Sequence, residues 1–573
     1  MKPIIYQLLV RLTGNRNTSQ KPYGTIEENG CGKFNDLDAH FLSEIKNLGA
    51  THIWLTGVLE HASCTDYSAF GIDPDNPLVV KGRAGSPYAI KDYYDVCPDL
   101  AIIVNERMQE FEDLLKRCSD AGLIPIIDFV PNHVARQYRP DNNPPGTKAL
   151  GQADNTEFGF HPQNNFYYLP GQALQLPNEV YELPYVKDNP VGEFVEEPAK
   201  ATGNDQFTAA PSINDWYETI KLNYGVDYQG GGGKHFDPIP DTWQKMLEIL
   251  LFWAKKGVKG FRCDMAEMVP VEFWEWAIGK LKNKFPEVIF LAEIYNPGAY
   301  KDFVETGGFD FLYDKVGLYD TLREVITGRK PASSITRVWQ DLDGMDARML
   351  RFLENHDEQR IASLQFAGNA RAGIPAMAVA ATLHQGPLMI YFGQELGEPA
   401  EGASGFSGED GRTTIFDYFH VPAFQQWFNN GKCIEEKLST EQKSLRRAYK
   451  QLIKLCKDPI IASGNFYDLQ WYNQNKPGFK PDSIFCYLRW NKEKIWMIAA
   501  NFSQVENLNI TIRIPKHFFE TVELADNQDY VTLMIHPESE SPGRLSQEKL
   551  IENGITINIE SNNYLVICLR PSK

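Results

Sequence analysis

Along this chain the apolar positions alternate between the three-to-four spacing of a helix face and short unbroken runs. Asp36–Gly49 has helical spacing and a glycine stop, and the run Thr51–Leu59 reads as the strand that follows it. A helix predicted over Asn105–Gly122 leads into a strand ending at Asp128. A helix starting at Asp241, with Asp241 as N-cap and Gln244 three residues on, runs to Gly257 and precedes a strand at Gly260. Helix Val271–Phe285, strand Val288–Ile294, helix Tyr300–Thr306, strand Phe309–Val316 and helix Tyr319–Gly328 continue the alternation. The strand-like run Met349–Asp357, helix Pro375–Gln385 and strand Pro387–Glu395 complete it. With Met1–Arg11 as the first strand, eight strands alternate with helices, which predicts an α/β protein built on a (β/α)8 barrel.

Two regions break the rhythm. Between His133 and Asp241 lie about a hundred residues rich in Pro, Gly, Asn and aromatics, with Gly230–Gly233 near their end. A loop of that length inside a compact domain is either functional or a subdomain of its own. Beyond Pro459 the pattern becomes short strand-like runs such as Ser483–Trp490, Ile495–Phe502 and Asn563–Leu569, as expected of an antiparallel β domain. The expected division is therefore a barrel from 1–133 and 241–457, an insert from 134–240, and a C-terminal β-sandwich from 458–573. The Gly- and Glu-rich stretch Gly397–Gly411 reads as a mobile loop over the cleft mouth.

A chain of 573 residues is too long for one core, which agrees with several domains. Hydrophobic content of 43% and charged content of 23% describe an ordinary globular protein. A net charge of -18 repels nucleic acid and anionic lipid but not a neutral sugar polymer. The start of the chain reads as a strand rather than a signal peptide, and no run is long enough to span a bilayer. Nine cysteines without metal-type spacing, an odd number, fit a reduced, cytoplasmic protein.

The candidate chemistry sits at strand ends. In Gly260-Phe261-Arg262-Cys263-Asp264, alternation puts Arg262 and Asp264 on one face, so a cation favours the ionised, nucleophilic form of Asp264. Alone, that pair is a structural ion pair. Glu293, however, closes an apolar run that should raise its pKa and keep a proton available. The segments ending Asp128-Phe129-Val130-Pro131-Asn132-His133 and Phe352-Leu353-Glu354-Asn355-His356-Asp357 also end in polar clusters. Four such ends suit the C-terminal face of a barrel, where active sites are built.

These four segments, in this order, resemble the four signature regions of the α-amylase family of glycoside hydrolases. The Gly393-Gln394-Glu395 ending of the eighth strand resembles it too. The resemblance implies a retaining enzyme acting on α-glucosidic bonds of starch-like glucans or malto-oligosaccharides. Asp264 would be its nucleophile, Glu293 its acid/base and Asp357 its transition-state stabiliser. It further implies sugar contacts from Tyr88, His133, Arg262 and His356, and an inserted domain B walling the cleft. α-Glucosidase, neopullulanase-like and transglycosylase activities belong to the same family, as do inactive barrels that serve as glucan-binding scaffolds. In many endo-amylases Lys and His stand three and four residues beyond the nucleophile. Here Glu267 and Met268 do, which alters contacts to the leaving sugars.

The family's calcium, which no activity expectation here requires, joins an Asn at the place of Asn132 to an Asp of domain B. The nearest counterpart, Pro211-Ser212-Ile213-Asn214, has Ser for that Asp, so the site is expected to be absent or weak, with Asn214 or Asp215 as substitutes.

Overall fold

The computed structural model describes residues 2–188, 192–402, 405–406, 408–522, 528–537 and 539–572. Eight parallel strands form the central sheet: β1 (Ile4–Leu9), β2 (His52–Thr56), β3 (Ile124–Phe129), β4 (Gly260–Cys263), β5 (Ile289–Ala292), β6 (Phe311–Tyr313), β7 (Met349–Leu350) and β8 (Leu388–Tyr391). Neighbours run in sequence from β1 to β7, and β1 also pairs with β8 in the register Ile4↔Leu388. The ring closes through a bridge between Arg351 and Leu388, with the Arg351 N–H donating to Pro387 O and the Met389 N–H to Arg351 O. The strands read as unbroken apolar runs because both faces are buried. Ile5, Trp54, Ile126, Leu291, Leu350 and Met389 fill the inside, and a larger core joins the outside of the strands to the helices.

Local signals set several helix ends. Asp38 caps the helix Ala39–Leu48 by accepting from the Phe41 N–H, and Ser439 and Gln442 form a capping box on Thr440–Cys456. Asp241 is not the N-cap expected of it. The extended Pro240 takes that position, and the Asp241 carboxylate pairs instead with Lys245 at 2.7 Å, one turn into the helix. The helix expected from Tyr319 begins with a π-turn, Lys315–Tyr319, and continues as Asp320–Ile326.

Between β3 and β4 the chain forms three small antiparallel pairs, of which His133–Ala135 with Thr219–Lys221 ties the insert to the end of β3. After the barrel comes a six-stranded antiparallel sheet, Asn465–Asp468, Ile484–Trp490, Ile495–Asn501, Asn563–Pro571, Asp529–His536 and Ser539–Ser546 in spatial order. A two-stranded sheet, Leu508–Ile512 with Ile555–Ile559, supplies further residues to its separate apolar core. Among the described residues no helix is long and apolar enough to cross a membrane.

Candidate active site

The ends of β3, β4, β5 and β7 converge, as the alternation of their side chains requires. Asp264, Glu293 and Asp357 line one cavity of about 320 Å³, together with Tyr88 and His133. Arg262 and His356 do not line it. They lie beneath, fully buried, and act on the groups above them.

Arg262 joins the two central carboxylates. Its Nη1 donates to Asp264 Oδ1 at 2.7 Å, and its Nη2 is paired with Glu293 Oε2 at 2.8 Å. The second Asp264 oxygen, Oδ2, is buried and has no hydrogen-bond donor among the described residues. Burial pushes the Asp264 carboxyl up and Arg262 pulls it back, so desolvation rather than the cation sets the direction of its shift. Burial also raises Glu293, opposed by Arg262 and reinforced by the charge of Asp264. The Tyr295 hydroxyl donates to Glu293 Oε1 at 2.6 Å and the Met265 N–H to Oε2 at 2.8 Å. Met265, directly after Asp264, has φ of 43°, a strained value for a side chain of its size. Asp357 is held well above the usual carboxylate range by burial and by the charge of Glu293.

Gln7 of β1 orients His356. Its Nε2 lies 2.8 Å from Nδ1, so Nδ1 accepts and Nε2 carries the proton. That Nε2 lies 2.5 Å from the Tyr88 hydroxyl and 3.1 Å from Asp357 Oδ2. The Tyr88 ring stacks on the imidazole with centroids 5.2 Å apart, so one of its faces is already taken. Burial keeps both histidines neutral, with His133 lowered to about 3.

Met265 and Tyr295 also line the cavity, and the rest comes from the connecting segments: Lys81 and Ser86 after β2, Trp216, Glu218 and the strand residue Thr219 from the insert, and Phe406, Ile415 and Phe416 after β8. In the stretch Gly397–Gly411, residues 403, 404 and 407 lie outside the described residues. Tyr295 could have been found, because it stands two residues beyond Glu293 and so on the same face of the chain. The loop residues carry no periodic signal. Glu267 and Met268 do not line the cavity, and the Glu267 carboxylate accepts from the N–H groups of Tyr295 and Asn296 at 3.1 and 3.0 Å. It braces the loop that carries Tyr295.

The residues expected to hold calcium do not fit a divalent cation. Asn132 Oδ1 accepts from Lys221 Nζ at 2.8 Å, and the same ammonium pairs with Asp205 at 2.5 Å. Lys221 is 1% exposed, so a charge of the wrong sign for a metal ligand fills the place facing Asn132. Asp215 Oδ2 accepts from the Ser212 N–H at 2.8 Å, and the backbone N–H of Asn214 donates to the Ser212 hydroxyl at 3.3 Å. The counterpart of the bridging residue is thus Lys221, not Asn214 or Asp215.

No protein-family model matches the chain. Over 265 residues it is 27% identical to an α-1,4-glucan:maltose-1-phosphate maltosyltransferase from Cereibacter sphaeroides, covering 42% of this chain and 43% of the relative. That match spans less than half of the relative's length. Over 488 residues it is 22% identical to α-amylase 3 of Dictyoglomus thermophilum, covering 81% of this chain and 80% of that protein. Among solved structures, a maltogenic α-amylase from Thermotoga neapolitana aligns with a TM-score of 0.61 and 19% identity over 99% of this chain and 98% of its own. An α-amylase from Lactobacillus plantarum aligns with a TM-score of 0.61 and 20% identity over the same shares. The chain shares their fold.

Proposed function

We propose that this chain, which has the α-amylase fold, is a retaining glycoside hydrolase acting on α-glucosidic bonds of malto-oligosaccharides or related glucans. One observation carries the reading: Asp264, Glu293 and Asp357 face one cavity, with the first two on the two nitrogens of a single guanidinium. Sharing one guanidinium supports the short carboxyl separation, about 5 Å, that retention needs, against the wider gap of inversion. Residues 134–240 are proposed as the domain that walls this cavity, between barrel segments 1–133 and 241–457, with 458–573 as the β-sandwich domain.

In this mechanism Asp264 Oδ2 attacks the anomeric carbon as the bond to the leaving oxygen breaks, and Glu293 transfers its proton to that oxygen. The Glu293 carboxylate then takes a proton from water, and the hydroxide oxygen displaces Asp264. Arg262 stabilises the carboxylate form of each in turn. Asp357, with the neutral His356 beside it and His133 lining the same cavity, hydrogen-bonds sugar hydroxyls as the ring flattens and gains positive charge. A second sugar in place of water gives transfer instead of hydrolysis, and the match to a maltosyltransferase supports keeping that branch. Its name specifies a phosphorylated donor. Here four carboxylates, counting Glu218, line the cavity against Lys81, which supports a neutral donor.

A volume of about 320 Å³ is at the low end for small-molecule sites. It supports action on short chains or chain ends over the interior of a polymer. Turnover of maltose, maltoheptaose, pullulan, sucrose and trehalose, with the anomer of the first product read by NMR, tests the proposal. Retained α-product supports it. An inverted product, near-normal turnover by Asp264→Asn, or no sugar release at all, as from a scaffold, overturns it.

A further inference from the structure

The turn that carries Trp216 and Glu218 holds two unfavourable features within three residues. Trp216 has φ of 40°, in the left-handed region that a bulky side chain rarely adopts. Thr219 locks it there, donating from both N–H and Oγ1 to Trp216 O at 2.9 Å, while its Oγ1 accepts from the Gly203 N–H at 3.1 Å. A Cβ on Gly203 would lie 2.6 Å from that hydroxyl, so the lock needs glycine at this position. Glu218 is 5% exposed and faces the cavity, and among the described residues its buried Oε2 has no hydrogen-bond partner. Among the described residues its side chain makes no ion pair. Lys81 lines the same cavity, yet its Nζ lies over the Phe416 ring, 4.7 Å from the centroid, rather than on Glu218. Strain of this kind persists where the surroundings over-determine it, and a buried carboxylate oxygen without a donor is unfavourable until one arrives.

We propose that Glu218 determines substrate specificity by accepting hydrogen bonds from hydroxyl groups of a neutral sugar bound in the cavity, with Lys81 donating to the same sugar. The inference rests on the glycosidase reading and assigns Glu218 no part in bond breaking, since it touches neither Arg262 nor the central carboxylates. A carboxylate takes two neighbouring hydroxyl donors at once, and an unmet site of this kind discriminates strongly against sugars that lack them.

The test compares wild type, Glu218→Gln and Glu218→Ala in kinetics on maltotriose and in thermal melts. It adds calorimetric binding of maltotriose in the Asp264→Asn background. Glu218→Ala is expected to raise KM and Kd by about 10- to 100-fold with kcat within a few-fold of wild type, and Glu218→Gln, which keeps one acceptor, falls between. Glu218→Gln should melt at or above the wild-type temperature while binding worsens, because it replaces a carboxylate whose Oε2 is buried without a donor. Unchanged KM and Kd, or a lowered melting temperature with intact binding, overturns the inference and leaves the glycosidase reading standing. Absence of wild-type turnover on every sugar overturns the parent reading instead.

Discussion

Replacing Lys221 with methionine keeps the length and the apolar stem of the side chain and deletes the ammonium that joins the insert to the end of β3. The loss has two parts. The bond to Asn132 Oδ1, 2.8 Å long and fully buried, is charge-assisted and contributes about 1.5–3 kcal/mol. The pair with Asp205 is short, at 2.5 Å, but that carboxylate is 39% exposed, so screening reduces its share to about 0.5–1 kcal/mol. Relief of the buried ammonium's desolvation offsets part of this, leaving a net destabilisation of about 2–3 kcal/mol. The lesion is local, because Lys221 pairs directly with His133 in the register of the two strands. Hydrogen exchange of peptides covering 199–222 and 130–136 should therefore accelerate by about 30- to 150-fold, with the C-terminal sheet unchanged. Wild-type melting should not respond to a chelator. Unchanged exchange in the Lys221→Met protein, or a wild-type melting temperature that collapses in EDTA, would refute the assignment of the ammonium as the bridging cation.

Asp264→Asn and Glu293→Gln should each lower kcat by several orders of magnitude at unchanged melting temperature, measured on the best substrate of the sugar panel. Tyr295→Phe removes a donor that stabilises the Glu293 carboxylate, so the Glu293 pKa rises and the alkaline limb of kcat/KM moves to higher pH, by up to about one unit; a shift to lower pH contradicts this. Glu60, buried beside Lys91, is raised by desolvation from 4.5 to about 9, so the folded protein holds a proton that the unfolded chain releases. Its stabilisation is complete below 4.5 and is lost as pH rises through about 9, and Glu60→Gln should flatten that decline in urea unfolding at pH 5, 7 and 9. A decline as steep as the wild type's would exclude Glu60 as its source.

The barrel and its carboxylates were legible because period and alternation are local properties. Asp264 and Glu293 each follow directly on an apolar strand, while Asp357 lies beyond the short β7, which ends at Leu350 rather than running to Asp357 as expected; a parallel barrel brings such ends together. Arg262 lies beside Asp264, as alternation along one strand requires, but its second ion pair, to Glu293, depends on which strand is adjacent. The desolvation that outweighs it depends on burial, which spacing along one strand does not report. The insert was opaque for a different reason. Its strands are two or three residues long, too short for a period, and two of the pairs, including the one that carries Lys221, span gaps of dozens of residues. Lys221 therefore looked like an ordinary polar residue, and the search for a partner to Asn132 stopped at the nearby Pro211-Ser212-Ile213-Asn214. A lysine in the apolar run Ile220-Lys221-Leu222 was the available signal, since a strand buried on both sides has no room for an unpaired cation. Asp241 shows how a strong cap residue loses its position when a proline in extended conformation precedes it.

The pairing of β1 with β8 has a consequence for how this protein is made. Ile4 and Leu388 are neighbours in the sheet, so the first strand leaves the ribosome roughly 380 residues before its partner exists. At about 5–20 residues per second, that delay is on the order of 20–80 s, long against the microseconds in which hairpins and helices form. Throughout it, Ile-Ile-Tyr-Gln-Leu-Leu presents an apolar edge with unmet N–H and C=O groups, open to pairing with a neighbouring nascent chain. Folding yield is therefore expected to respond to polysome crowding and translation speed as well as to the stability of the finished barrel.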